Sequence, residues 1–353
     1  MITPHRLVHG IAPTLASLAV ALGAGESRGQ AVGTLIGWGD AFAGAAFPPP
    51  GAFRAFACGS EHAVGIRVDG TLEAWGNPKA GALNVPSGTF LAVAPSLKWS
   101  LALRTDGTLV SWGTAGGGWY PPPTGVYTTI TSGSHNGYAL RPDGTIAAWG
   151  ADMSGLLAPP AGKFTALAAG NVHAVGLRTD GTLAAWGNNN SGQINAPPGQ
   201  FVAIAAGEVH TLALTAAGEV VAWGSNTRGQ CNVPPGTYKA IAAGGFWSLA
   251  IRTDGTLAAW GSDFSTQIST LPVGRYVAIS AGRGFGIAMP EGCWANCDGA
   301  TTTPTLTVND FICFLNKFAA GDTYANCDGS AMPPVLNVND FVCYVSAYAA
   351  GCP

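Results

Sequence analysis

Residues 164–200 read FTALAAGNVHAVGLRTDGTLAAWGNNNSGQINAPPGQ, and near copies of this unit fill most of the chain. Its Trp-Gly pair at Trp186 returns at Trp38, Trp75, Trp112, Trp149, Trp223 and Trp260, each 37 residues from the next. Repeats of 20–50 residues signal solenoids, propellers or arrays, because each unit must bury its apolar face against a neighbour. The unit predicts three short strands. Phe164 to Ala169 is the first, built from small alternating residues that suit a crowded position near an axis. His173 to Arg178 is the second and Thr182 to Trp186 the third. Asp180-Gly181 between the last two predicts a two-residue hairpin whose glycine takes the positive φ of a primed turn. The dipeptide recurs at Asp69-Gly70, Asp106-Gly107, Asp143-Gly144 and Asp254-Gly255, with Ala217-Gly218 as the variant.

The third strand is apolar on both sides, with Leu183 and Ala185 alternating against Ala184 and Trp186. A strand with one wet face would alternate in polarity, so these strands are expected between neighbouring sheets. The ends of the repeat region predict closure. It begins with a lone third strand, Gly33 to Trp38, and ends with a first and second strand, Tyr276 to Met289. Joined, they complete a seventh unit, whereas an open solenoid would need polar caps. The expected fold is therefore all-β, a seven-bladed β-propeller of 37-residue repeats over residues 32–292, closed by the N-terminal strand.

Units of the form IAAG-x-x-H-x-L-A-L-x-x-D-G-T-L-x-A-W-G resemble RCC1-type repeats in their short bacterial version, across residues 33 to 292. The architecture is similar to the β-lactamase inhibitory protein II type. That resemblance implies a protein-binding ring, with an inhibitor of a secreted enzyme as one version. Eukaryotic relatives act on a small GTPase and on chromatin. With a net charge of −3 and no basic run, this chain is expected to bind no nucleic acid.

Composition supports a folded, exported protein. Charged residues are 10% of the chain, hydrophobic residues 47%, and glycines number 51, which excludes disorder and suits tight turns. Residues 1–31 read as a signal peptide: His5 and Arg6 precede the apolar run Ile11 to Leu22 and a stretch of small residues. The run is too short to span a bilayer, so no membrane span is expected. The expected location is outside the cell or on its surface, where disulfides persist.

Composition changes at Cys293. The last 61 residues hold six of the eight cysteines and a second repeat, of period 30: ANCDGATTTPTLTVNDF from Ala295 is echoed by ANCDGSAMPPVLNVNDF from Ala325. Oxygen-bearing residues open each loop, an acid closes it, and an amphipathic helix follows, the arrangement of an EF-hand. The candidate calcium ligands are Asn296, Asp298, Thr307 and Asp310, then Asn326, Asp328, Asn337 and Asp340. Each loop runs fifteen residues rather than twelve and offers two carboxylates. Residues 293–353 resemble a dockerin, more narrowly the cysteine-containing variant ending in Gly-Cys, here Gly351-Cys352. This resemblance implies a small α-helical module that binds Ca²⁺ and docks on a cohesin-like partner. Repeat symmetry favours the pairs Cys297–Cys313 and Cys327–Cys343, with Cys293–Cys352 closing the ends, among fifteen possible connectivities. A zinc site is the alternative for such a cluster.

Catalytic constellations are not visible in the repeats. His62, His173 and His210 share a slot that Trp99, Asn136 and Trp247 fill elsewhere, so a packed or hydrogen-bonded role is expected over metal binding. Cys58 reads as a small buried residue, and Cys231 has no evident mate. Arg178 and Arg252 recur before the hairpins and read as scaffold. What varies is the turn between the first two strands. Its residues predict a binding face comprising Glu61, Lys98, His135, Phe246 and Arg283, with Trp119 and Tyr120 joining if their loop folds toward it. Phe264 belongs to the same loop set as Trp119.

The function expected from these readings is non-catalytic binding or scaffolding by a secreted monomer. The propeller face would take a protein or glycan, and the tail would anchor the protein. The alternatives are a dockerin-bearing carbohydrate-active enzyme, a propeller lyase or hydrolase, and a propeller inhibitor of a secreted enzyme.

Overall fold

The computed structural model describes residues 32–40, 44–114 and 121–291. The expected signal peptide (residues 1–31), Trp119 and Tyr120 lie outside these residues. So does the whole tail, with its candidate ligands and its six cysteines.

Small and β-branched residues between glycine turns give 21 short strands among the described residues, grouped in seven three-stranded antiparallel sheets. The inner strands are Phe53–Cys58 (β2), Phe90–Pro95 (β5), Thr129–Ser132 (β8), Phe164–Ala169 (β11), Ala203–Ala206 (β14), Tyr238–Ala243 (β17) and Tyr276–Ala281 (β20). The middle strands are His62–Arg67 (β3), Trp99–Arg104 (β6), Asn136–Leu140 (β9), His173–Arg178 (β12), His210–Leu214 (β15), Trp247–Arg252 (β18) and Phe285–Pro290 (β21). The outer strands are Ile36–Gly39 (β1), Leu72–Gly76 (β4), Leu109–Gly113 (β7), Ile146–Gly150 (β10), Leu183–Gly187 (β13), Val220–Gly224 (β16) and Leu257–Gly261 (β19). Each inner strand touches the inner strand of the next sheet, and β20 touches β2, so the contacts run in a closed circle.

The closing sheet is assembled from both ends of the repeat region. β1 pairs with β21 in the register Ile36↔Ala288 and Trp38↔Gly286. One hydrogen bond shows that this joint copies the others. Trp75 donates its indole N–H to the carbonyl of Ala45 at 3.1 Å, and Trp112, Trp186, Trp223 and Trp260 likewise reach the carbonyl thirty residues upstream. Trp38 reaches Gln267 at 2.9 Å, the position thirty residues upstream once the seven repeats are counted as a circle. Trp149 has no such partner among the described residues, and Trp119 stands thirty positions before it.

Two sequence expectations are corrected. The strand wedged between sheets is the middle one: β3, β6, β12 and β18 are buried at their first five positions. The outer strands are mostly half-buried, with a buried tryptophan in six of the seven. Apolar composition misled because three of the five residues in LAAWG are alanine or glycine, which tolerate partial exposure. The hairpin also differs. Gly70 N–H bonds to the Arg67 carbonyl at 2.9 Å and Arg67 N–H to the Thr71 carbonyl at 2.8 Å. Gly70 has a φ of 89°, while Asp69 does not enter the left-handed region. This is a type I turn followed by a glycine bulge, not a two-residue primed turn. Asp69 favours it by accepting from both the N–H and the hydroxyl of Thr71, at 2.9 and 2.7 Å.

The recurrent arginines are framework, as expected. Arg67 lies over the Phe53 ring with its guanidinium carbon 4.0 Å from the centroid, and Arg178 over Phe164 at 4.9 Å. Arg104 over Phe90 and Arg252 over Tyr238 repeat the contact, capping the inner aromatic of four of the seven sheets against water. No helix among the described residues is long and apolar enough to cross a membrane.

Candidate functional site

Six of the seven inner strands are followed at once by glycine, and the sheets approach most closely there. A Cβ on Gly207 would stand 2.5 Å from the Gly244 carbonyl of the next sheet, and one on Gly133 2.9 Å from that of Gly170. At these glycines no side chain fits, while Ser96 fills the seventh position with its hydroxyl bonded to the Gly133 carbonyl. The turns between inner and middle strands gather round a narrow axial channel of about 100 Å³. Ser60, Ser134, Asn171, Glu208, Gly245 and Arg283 all line it. Its rim is tied together from sheet to sheet. Ser60 N–H donates to the Ser96 carbonyl at 2.9 Å, Asn171 N–H to Glu208 at 3.1 Å, and Glu208 N–H to Gly245 at 3.3 Å. Arg283 Nε reaches Glu208 Oε1 at 3.2 Å, spanning the intervening turn.

Behind the rim, the three histidines stitch sheets together. His62 Nε2 meets Ser100 Oγ at 2.7 Å, His173 meets Thr211 Oγ1 at 2.9 Å, and His210 meets Ser248 Oγ at 3.0 Å. Ser248 Oγ gives its own proton to the Gln230 carbonyl, so it accepts from His210 and fixes the Nε2–H tautomer. Burial holds all three rings neutral, pushing His62 and His173 down to about 4 and His210 to about 3. Trp99 and Trp247 do the same stitching from this slot with an indole N–H, to Ser134 and Gly282. Among the described residues no three His, Cys, Asp or Glu side chains gather as a metal site. The thiols are chemically quiet: burial pushes Cys58 up to about 12 and Cys231 up to about 11, so neither is a thiolate at neutral pH.

The outer strands run up to the same face, and the loops that follow them widen it into a cleft of about 690 Å³. Glu61, Phe246 and Arg283, three of the turn residues expected to bind, line this cleft together. Lys98 is exposed and His135 half-buried on other turns; neither lines the cleft. Phe264, at 96% exposure, lines it from the loop after β19. Asp40 and Arg228 line it too and were not singled out from sequence. They stand in post-Trp-Gly loops, as Phe264 does, a shared setting that could have marked them. The loops are held from within. Asn226 accepts from Cys231 N–H at 2.9 Å and donates to Asn232 at 2.8 Å. Asp263 accepts from Ile268 N–H at 2.7 Å, and Gln230 and Gln267 accept from the backbones of Arg228 and Ser265. Glu61 receives a hydrogen bond from Asn77 Nδ2 at 2.6 Å. The result is a preformed recess with two phenylalanines, two arginines and two carboxylates at its surface, suited to recognition.

Known proteins share this fold. The description "Regulator of chromosome condensation (RCC1) repeat" fits residues 164–193 and 201–230. Prp20p of Saccharomyces cerevisiae, solved in a study of its binding to Gsp1p and histones, superposes with a TM-score of 0.65 at 18% identity. That match covers 75% of this chain and 93% of Prp20p. Yeast RCC1 (Prp20) bound by Kap60 gives 0.66 at 17% identity, over 83% and 97% of the two chains. The CRINKLY WD40 ectodomain of the Arabidopsis thaliana receptor kinase ACR4 gives 0.57 at 20% identity, over 67% and 93%. No curated protein sequence matches the chain. At these identities the likeness is one of fold, and in fold the described chain is an RCC1-type β-propeller.

Proposed function

We propose that this protein is a secreted, non-catalytic binding scaffold. In this reading a closed, seven-bladed ring presents its turn face to a protein or glycan. The tail, residues 293–353, is a calcium-loaded dockerin-like module that anchors the ring to a cohesin-like partner. The observation that carries the reading is the cleft, where Glu61, Phe246 and Arg283 from unlike turns share one rigid recess. A preformed surface loses little conformational entropy on binding. Prp20p, of similar fold, is described by its binding to Gsp1p, histones and Kap60, which supports protein recognition by such a ring.

Two measurements test this. The full chain is used to capture proteins from the native envelope, and hydrogen exchange of the complex maps the contact. Protection at the turn face is expected; protection confined to the hairpin face or the outer strands would refute it. Calorimetry of the full chain with calcium and then chelator tests the tail. A ligand bound only by the folded state at a hundred times its dissociation constant adds about 2.7 kcal/mol. A melting profile indifferent to calcium would remove the metal from the proposal.

A further inference from the structure

The cleft carries a chemical asymmetry. Asp40 and Glu61 enter from the loop after β1 and the turn after β2. Arg228 enters from the loop after β16, and Phe246 and Phe264 come from the turn and loop of the sheet between. Arg283 is already engaged by Glu208, and Glu61 by Asn77. The Arg228 guanidinium has no ion-pair or hydrogen-bond partner among the described residues, although its backbone is pinned by Gln230. Phe264, almost wholly exposed, lines the same cleft from a loop that Asp263 holds in place. An exposed phenylalanine held rigidly in a recess has its apolar surface wet and gains by being covered. A free guanidinium is a fork suited to bidentate carboxylate recognition.

Building on the binding-scaffold reading, we infer that this cleft takes a protein segment in which an acidic side chain adjoins an apolar one. The carboxylate meets Arg228, and the apolar side chain packs against Phe246 and Phe264. Glu61, whose partner Asn77 is neutral, repels a second acid and so sets the segment's direction. The side chains favour protein over glycan. The Arg228 guanidinium calls for an acid, which a neutral glycan does not carry; the hydroxyls of Ser60, Thr227, Ser262 and Ser265 also line the recess, so a neutral glycan is the control. Phenylalanine and arginine are the residues enriched at protein interfaces.

The test uses the full chain and three probes, followed by NMR: blocked Leu-Asp-Leu, blocked Leu-Asn-Leu, and cellohexaose. Leu-Asp-Leu should shift the Phe246, Phe264 and Arg228 resonances and bind about fivefold or more tightly than its asparagine counterpart, the effect of one charge-assisted contact. Arg228→Gln should erase that preference, and Phe264→Ala should weaken both peptides alike. Equal binding of the two peptides by the wild type, a preference that survives Arg228→Gln, or cellohexaose seated in the cleft would each overturn the inference. The two readings fail separately. If a captured envelope protein protects the turn face with an affinity indifferent to Arg228→Gln, the scaffold stands and the carboxylate assignment falls.

Discussion

The two faces of the ring are built from the same strands and follow opposite rules. On the hairpin face, five turns carry one chemistry: Asp69, Asp106, Asp143, Asp180 and Asp254 each accept two hydrogen bonds from the threonine two residues on. On the turn face, the equivalent positions hold Ser-Glu, Leu-Lys, Ser-His, Asn-Val, Glu-Val, Gly-Phe and Arg-Gly. Local closure explains the first. A hairpin must form in every sheet, and one side chain suffices to define it. The second follows from the close approach of the sheets and the backbone hydrogen bonds that tie one turn to the next, which set the backbone and leave the turn side chains free to differ. Uniformity marks what folds the ring, and variety marks what it can recognise.

That division can be broken most severely at the joint. Deleting residues 33–39 removes Trp38 and its bond to Gln267 and bares the edge of β21. Loss of one buried tryptophan alone costs about 3–5 kcal/mol, and an open edge invites aggregation. The deletion should abolish the monomeric, cooperatively melting state in ultracentrifugation and calorimetry. A monomer with the wild-type melting temperature would show that the circle closes without this strand.

A second break comes from pH and acts on the framework alone. His62, His173 and His210 have folded pKa values pushed below their unfolded value of 6.5 by burial. Below pH 6.5 the unfolded chain takes up protons that the folded chain refuses. Stability therefore falls from about pH 6.5, and the loss levels off below about 4 for His62 and His173 and below about 3 for His210, once the folded rings are charged. His62 and His173 each contribute at most on the order of 3 kcal/mol and His210 at most on the order of 5. The hairpin aspartates, lowered by their bonds to threonine, act in a separate window and lose their contribution only as pH falls below about 3.8. Urea denaturation from pH 7.5 to 4.5 should show the first decline. The three ring resonances should remain untitrated over that range, and a ring titrating near pH 6.5 would contradict its burial.

Smaller effects sharpen the contrast on the hairpin face. Asp180→Ala removes both bonds to Thr182 and should lower the melting temperature by about 1–3 °C. The Ala217 hairpin lacks this device, so Ala217→Asp with Glu219→Thr should gain a similar amount. If neither moves the melting temperature, the recurrent aspartate has no part in holding the turn.

These same features show how far the chain could be read unaided. The 37-residue period, the strand limits Phe164–Ala169 and His173–Arg178, and the closing strand were legible, because tryptophan, glycine and buried alternation recur in register. The turn type was not, because Asp-Gly suits both a primed turn and a bulged type I turn. The bonds to Thr71 and its equivalents choose between them. In the cleft, Glu61, Phe246 and Arg283 were legible as variation against a fixed frame. Asp40 and Arg228 were not, since they stand at different offsets, two and five residues after their tryptophans, in loops whose composition changes from one repeat to the next. Their arrival at the same recess is a property of three dimensions.

A double substitution on the turn face separates the faces most clearly. Phe246 is 36% exposed and the Arg283 side chain 58% exposed, and neither is stacked on an inner-strand ring as Arg67 and Arg178 are. Replacing both with alanine removes a partly covered phenylalanine and an ion pair whose Glu208 side is mostly buried, so stability should fall by about 1–2 kcal/mol, well short of the loss at the joint. If the turn face is the recognition surface, the same substitutions should weaken an envelope partner by about 1–4 kcal/mol. Denaturation and titration of one double variant thus read framework and face independently. A large loss of stability would mean that the variable turns also fold the ring. Unaltered binding would place recognition elsewhere, on Lys98 and His135 across the rim or away from the turn face altogether.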